Sequence, residues 1–171
     1  MGERASGEDL ERLRSERDLF LRLLELRSQT EVEPFLEEAL SLVVDVVGAR
    51  QGYLELRDDD DGEDAQWSIG HSVSEAEAKR IRDTISSGII AEAMSTGRVV
   101  ETPSALLDPR FSGRESVQAS RIDTVLCAPI GDAPARGVLY LQGKRSGGAL
   151  DAADRERVVL VARHLAPIAD H

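Results

Sequence analysis

Two apolar runs near the end of the chain most constrain its fold. Asp123 to Ile130 and Arg136 to Gln142 are rich in β-branched and aliphatic residues. Only a short turn containing Asp132-Ala133-Pro134 separates them. A parallel crossover needs a dozen or more residues, so the two runs must pair as antiparallel neighbours. A second pair has the same form. In Gln51 to Arg57, Tyr53, Glu55 and Arg57 fall on one face and Leu54 and Leu56 on the other. Asp61-Gly62 then marks a turn, and Gln66 to His71 reads as the return strand. The sheet is therefore expected to be mainly antiparallel.

Helical segments surround these hairpins. Residues 8–29 contain no Gly or Pro and are dense in Leu, Glu and Arg. Leu10, Leu13, Phe20 and Leu24 follow a three-and-four spacing that Arg17 interrupts. Leu19, Leu23 and Leu26 make a second apolar stripe, so this helix needs a partner on more than one side. Thr30 and Glu33 have capping-box spacing ahead of a helix from Pro34 to Val47, closed by Gly48. Ser74 caps a short helix over Glu75 to Arg82. Ile89 to Thr96 forms another, ended by Gly97, and Val99-Val100 a brief strand. Thr102 to Gly113 reads as a loop, and Asp151 caps a last helix from Ala152 to about Leu165. Residues 1–29 are expected to be a dimerisation or signalling helix and residues 30–171 one domain.

Composition narrows the function. The net charge is −11, with 32 acids against 21 bases. Direct nucleic-acid binding is disfavoured, since that affinity comes from basic groups on phosphate. Adsorption to an anionic membrane is disfavoured for the same reason. No apolar run reaches the ~18–20 residues needed to cross a bilayer, and Met1 to Leu10 does not read as a secretory signal. The single Cys127 fits a reducing cytoplasm and excludes a multi-thiolate metal site.

The acidic stretch Asp58 to Asp64 invites a calcium reading, which fails. Placing Gly62 at the fixed glycine of an EF-hand loop puts Arg57 and Ser68 where carboxylates are required. Cys127, in a strand-like run, reads as a buried structural thiol with no His adjacent in sequence. A lone His71 lacks companion ligands. No phosphate-loop, dinucleotide or nucleophile-elbow motif occurs. No catalytic residue, metal ligand or required cofactor is read from the chain, and an enzyme is not expected. Arg114, Arg121 and Asp123 form a polar group at a loop-to-strand junction.

Several segments together resemble a GAF domain. Thr96-Gly97-Arg98-Val99-Val100 is similar to the family's T-G-x-P-V stretch. Asp108-Pro109-Arg110-Phe111 and Glu115-Ser116-Val117 resemble its D-P-R-F … S-V loop. Val125 to Ile130 resembles V-L-C-V-P-L, and Gly137 to Leu141 resembles G-V-L-Y-L. Leu150 to Leu160 resembles the start of the last helix, with Asp154 retained. The resemblance implies an α+β fold with a central antiparallel sheet of about six strands. Terminal helices would cover one face, and short helices and loops would roof a pocket on the other. The style is that of GAF domains in bacterial sigma-54-dependent transcriptional regulators and sensor kinases. Gly143 before Lys144, Leu150 and Arg155 depart from the cyclic-nucleotide signature, and Cys127-Ala128 departs from the bilin-binding Cys-His pair.

This implies a cytoplasmic regulatory module that binds an unidentified small molecule and controls an attached ATPase or kinase output domain. Tyr53, Trp67, Phe111, Arg121, Asp123 and Cys127 are the candidate pocket residues. A homodimer is expected through Leu13, Phe20 and Leu24 of the first helix with Val158 and Val161 of the last. The alternative is a ligand-free structural dimerisation module with no sensing role.

Overall fold

Backbone hydrogen bonding between the apolar runs organises the protein. The computed structural model describes residues 2–26, 30–57, 65–80, 87–102, 124–147 and 150–169. In chain order the elements are α1 (Gly2–Leu26), α2 (Val32–Val47), β1 (Ala49–Arg57), β2 (Ala65–His71) and α3 (Glu75–Arg80). They continue with α4 (Ser87–Thr96), β3 (Val100–Thr102), β4 (Val125–Ile130), β5 (Gly137–Lys144) and α5 (Ala152–Ala169). The strands form one sheet in the order β2-β1-β5-β4-β3, and every neighbouring pair is antiparallel. The architecture is the expected α+β one, with five strands among the described residues where about six were expected.

Strand alternation divides the core in two. On one face Leu54, Leu56, Ile69, Leu126, Ala128, Ile130, Leu139 and Leu141 meet α1, α2 and α5. From these helices come Leu19 and Leu23, then Phe35, Leu36, Leu40 and Val43, and finally Val158, Val161 and Leu165. On the other face Tyr53, Val125, Cys127, Val138 and Tyr140 pack against Ile89, Ile90 and Ala93 of α4. Each face of the sheet thus removes apolar surface from water, the main favourable term in folding.

Two glycines set the geometry around β1. Gly48 ends α2 in the left-handed region (φ 74°), and its N–H donates to the Val44 carbonyl at 2.9 Å. That closes the helix where β1 must begin. At Gly137 a Cβ atom would collide with the Glu55 carbonyl and the Leu56 side chain, so only glycine lets β5 lie this close to β1.

The helix ends differ in how they are capped. Ser74 caps α3 as expected, its Oγ accepting from the Glu77 N–H at 3.1 Å. The box expected from Thr30 and Glu33 does not form, because α2 starts two residues before Pro34 with Glu31 as N-cap and no side-chain cap bond. The reciprocal box forms instead at α5. Asp154 N–H donates to Asp151 Oδ1 at 2.8 Å, and Asp151 N–H donates to Asp154 Oδ2 at 2.9 Å. Helix α5 runs beyond the expected end, since Pro167 falls in its last turn.

Candidate functional site

The sheet face away from the terminal helices carries the polar chemistry. Register places Tyr53 beside Tyr140, Tyr140 beside Cys127, and Cys127 beside Val100, giving one row across four strands. Glu55 follows two residues along β1 and pairs with Ser68 of β2. Glu55 is fully buried.

A buried carboxylate is costly unless it is paired and hydrogen-bonded, and Glu55 is both. The Tyr53 hydroxyl donates to Glu55 Oε2 at 2.9 Å. Arg57 Nε donates to Oε1 at 2.8 Å, forming an ion pair whose arginine is about one third exposed. The Tyr53 oxygen also lies 3.0 Å from Ser68 Oγ. Nearby, the Tyr140 hydroxyl donates to Gln142 Oε1 at 3.2 Å. Gln51 reaches Glu77 of α3 at 3.3 Å. Ser68, Tyr53, Glu55 and Arg57 are thus linked side chain to side chain across β1 and β2.

Cys127 lies in the same layer. Burial pushes its thiol pKa far up, and the negative charge of Glu55 pushes it further. The thiol is therefore protonated at neutral pH and is not an activated nucleophile.

The structure divides the expected pocket residues. Tyr53 and Cys127 share this face, with Tyr140 between them. Trp67 does not share it. It pairs with Leu56 and packs half-buried against the terminal-helix cluster. The sheet lies between Trp67 and Tyr53, so one cavity on the Tyr53 face is not lined by both. Phe111, Arg121 and Asp123 lie outside the described residues, as do Arg114 and the acidic stretch 58–64. The residue missed from sequence is Glu55. Its signal was present in the Tyr53, Glu55, Arg57 alternation, where a carboxylate occupies an inward position between an aromatic and an arginine.

The expected dimer residues divide as well. Leu13, Phe20 and Leu24 are exposed at 58%, 47% and 38%. Val158 and Val161 are fully buried within the protomer's own core, so neither offers surface to a second subunit. Among the described residues, no group of three or more His, Cys, Asp or Glu is placed to hold a metal ion. No described helix is long and apolar enough to cross a membrane.

The profile of the family described as GAF domain matches residues 29–169. The chain belongs to the GAF domain family. No curated protein matches it in sequence. Among solved structures, this GAF domain is similar to the GAF domain of a phosphoenolpyruvate-protein phosphotransferase from Coxiella burnetii. That match has 20% identity, covers 94% of each chain and has a TM-score of 0.71. The corresponding Acinetobacter domain is 15% identical, with 93% of this chain and 92% of that one covered and a TM-score of 0.66. The GAF domain of a putative sensor histidine kinase from Pseudomonas syringae pv. tomato is 21% identical. It covers 97% of this chain and 90% of the other, with a TM-score of 0.55.

Proposed function

We propose that this GAF domain is a regulatory sensory module that binds a small molecule over the Tyr53–Glu55 face and acts as a homodimer. It belongs, on this reading, to a bacterial cytoplasmic signalling protein or sigma-54-dependent transcription regulator, and it is not itself an enzyme. The supporting observation is the buried Tyr53–Glu55–Arg57 chain on the face that the terminal helices leave alone. The exposed part of Arg57, whose Nε is held by the buried Glu55, can take an anionic group.

Binding changes the output only through differential affinity for two states of the module. Ordering of elements over the Tyr53 face would reach the terminal helices through the shared sheet. A coupling of ~1–3 kcal/mol is typical for such a link. The output would be a kinase or ATPase domain attached to the same chain or associated with it.

The second reading is a structural dimerisation module without a ligand. The observation that favours it is the outward stripe of α1, where Leu13, Phe20 and Leu24 are exposed while Leu19 and Leu23 pack on the core. Thermal-shift measurements against nucleotides, amino acids, organic acids and inorganic anions separate the two. A stabilising compound whose effect is reduced in Glu55→Gln supports sensing. No stabilisation at millimolar concentration across the panel leaves the structural module.

A further inference from the structure

Helix α5 covers the sheet unevenly. On its core side Val158, Val161 and Leu165 are fully buried. Toward the β4 end it presents Val159, Ala162 and Ala166, and β4 meets them with Ala128 and Pro129. Three of these five are alanines, whose side chains are too short to close the gap between helix and sheet. Protein interiors leave few voids larger than a water molecule. Here a groove of about 410 Å³ remains. That is more than twice the roughly 150 Å³ in which a dry apolar cavity takes benzene.

The far wall of the groove is held together by backbone contacts. The Ala135 N–H donates to the Met94 carbonyl at 2.8 Å. A Cβ atom on Gly97 would lie 2.9 Å from the Ala133 Cβ. The turn after α4 and the turn between β4 and β5 therefore touch, and Gly97, Gly131 and Asp132 from these turns face the groove. Ala128 belongs to the terminal-helix side of the sheet and Tyr53 to the other, so the sheet separates this groove from the Tyr53–Glu55 face.

Charge sets the class of ligand. Arg155 and Arg163 border the apolar floor, about 12 Å apart along α5 at its rise of 1.5 Å per residue. Arg155 is 53% exposed and lies 3.7 Å from Glu101, a loose pair. Arg163 is exposed and has no ion-pair partner among the described residues. Asp132 is the one acid in the described lining, and it comes from the turn rather than the helix. The helix side is thus the one that attracts an anion. Apolar walls with a few placed polar groups are the usual make-up of a small-molecule site, and a guanidinium is well matched to a carboxylate.

We propose that this groove is a second small-molecule site, separate from the Tyr53 face, for a monocarboxylate with an apolar tail of about eight carbons. Arg163 holds the carboxylate, and the tail lies on Val159, Ala162 and Ala166. Occupancy fills the packing gap beneath α5 and stabilises the folded domain by mass action.

Isothermal titration calorimetry of the whole chain with octanoate, acetate and octylamine at pH 7 tests it. The proteins are wild type, Arg163→Gln and the groove-filling variant Ala166→Leu, and circular dichroism melting of each verifies folding. Octanoate should bind wild type at one site, with acetate and octylamine at least about tenfold weaker. Arg163→Gln should weaken octanoate at least about tenfold, the effect of losing a hydrogen bond to a charged group. Ala166→Leu should weaken it as much, with a melting temperature no lower than that of wild type. Octanoate binding that is unchanged in either folded variant overturns the site, and octylamine binding equal to octanoate overturns its ligand class. Heats that never saturate and are equal in all three proteins mean surfactant adsorption only, and they overturn the proposal, as does the absence of any binding at millimolar octanoate.

Discussion

The hydroxyl of Tyr53 donates a 2.9 Å hydrogen bond to the fully buried carboxylate of Glu55, two residues further along the same strand. The two side chains lie on one face because strand alternation repeats every second residue. Their proximity joins the aromatic layer of the sheet to the Glu55–Arg57 ion pair. Removing the tyrosine oxygen leaves one carboxylate oxygen in an apolar layer without that donor.

Tyr53→Phe should therefore destabilise the domain by about 1–3 kcal/mol, the cost of an unsatisfied buried acceptor. For a chain of this length each kcal/mol lowers the melting temperature by roughly 2–4 °C. Glu55→Gln keeps an acceptor for Tyr53 and should be milder. Thermal denaturation of both variants checks the order, and a tyrosine variant as stable as wild type would remove Glu55's dependence on it.

The α5 cap ties stability to acid. The Asp154 N–H holds the Asp151 carboxyl below the usual 3.8, with a smaller contribution from the charge of Lys144. A group depressed on folding contributes its full stability above its unfolded pKa. That contribution is lost as pH falls through the folded value. The window thus opens at about pH 4 and extends downward. Asp151→Ala should cost about 1 kcal/mol at pH 7. Asp151→Asn retains a competent cap and should be near wild type at pH 7, with a shallower loss of stability in acid. Urea denaturation at pH 7 and at pH 3 measures both.

Local chemistry was legible in the sequence, while long-range placement was legible only in part. Ser74 and Asp151 announced their caps, because a cap is decided within four residues. Hairpin pairing was legible from short turns. The face occupied by Trp67 was not, because it depends on the register across residues 58–64, and a one-residue slip inverts a strand. Val158 and Val161 show the same limit at helix level. One apolar stripe on a helix serves either a core or an interface, and α5 needs its single stripe to cover β4 and β5. The two stripes of α1 could not both face one core, which is why its exposed seam was readable. Glu55 was visible as an inward carboxylate, but its burial depends on β5 lying close over Gly137.

Cys127 should react only when the domain opens. Its thiol is fully buried, and burial and Glu55 both hold it in the protonated form. Labelling with a thiol-specific disulfide reagent at pH 8 should be slow and should follow unfolding, accelerating in urea in step with the loss of circular dichroism. Fast stoichiometric labelling of the native protein would show a solvent path to this layer of the sheet.

The two faces of α1 should respond in opposite ways to the same truncation. Leu23 is fully buried in the core, whereas Leu13 is 58% exposed. Leu23→Ala should cost about 2–5 kcal/mol through lost burial and the cavity it leaves. Leu13→Ala removes little burial within the protomer and should stay within about 0.5 kcal/mol at concentrations where the chain is monomeric. At high concentration the gap between wild type and Leu13→Ala should widen, because only Leu13 belongs to the outward seam and association adds stability by mass action. Melting curves recorded across a hundredfold range of protein concentration measure this. Wild type should melt higher as concentration rises, Leu13→Ala should show a smaller rise, and Leu23→Ala should melt lower throughout while keeping the wild-type slope. A wild-type melting temperature independent of concentration would show that the seam has no self-association to lose.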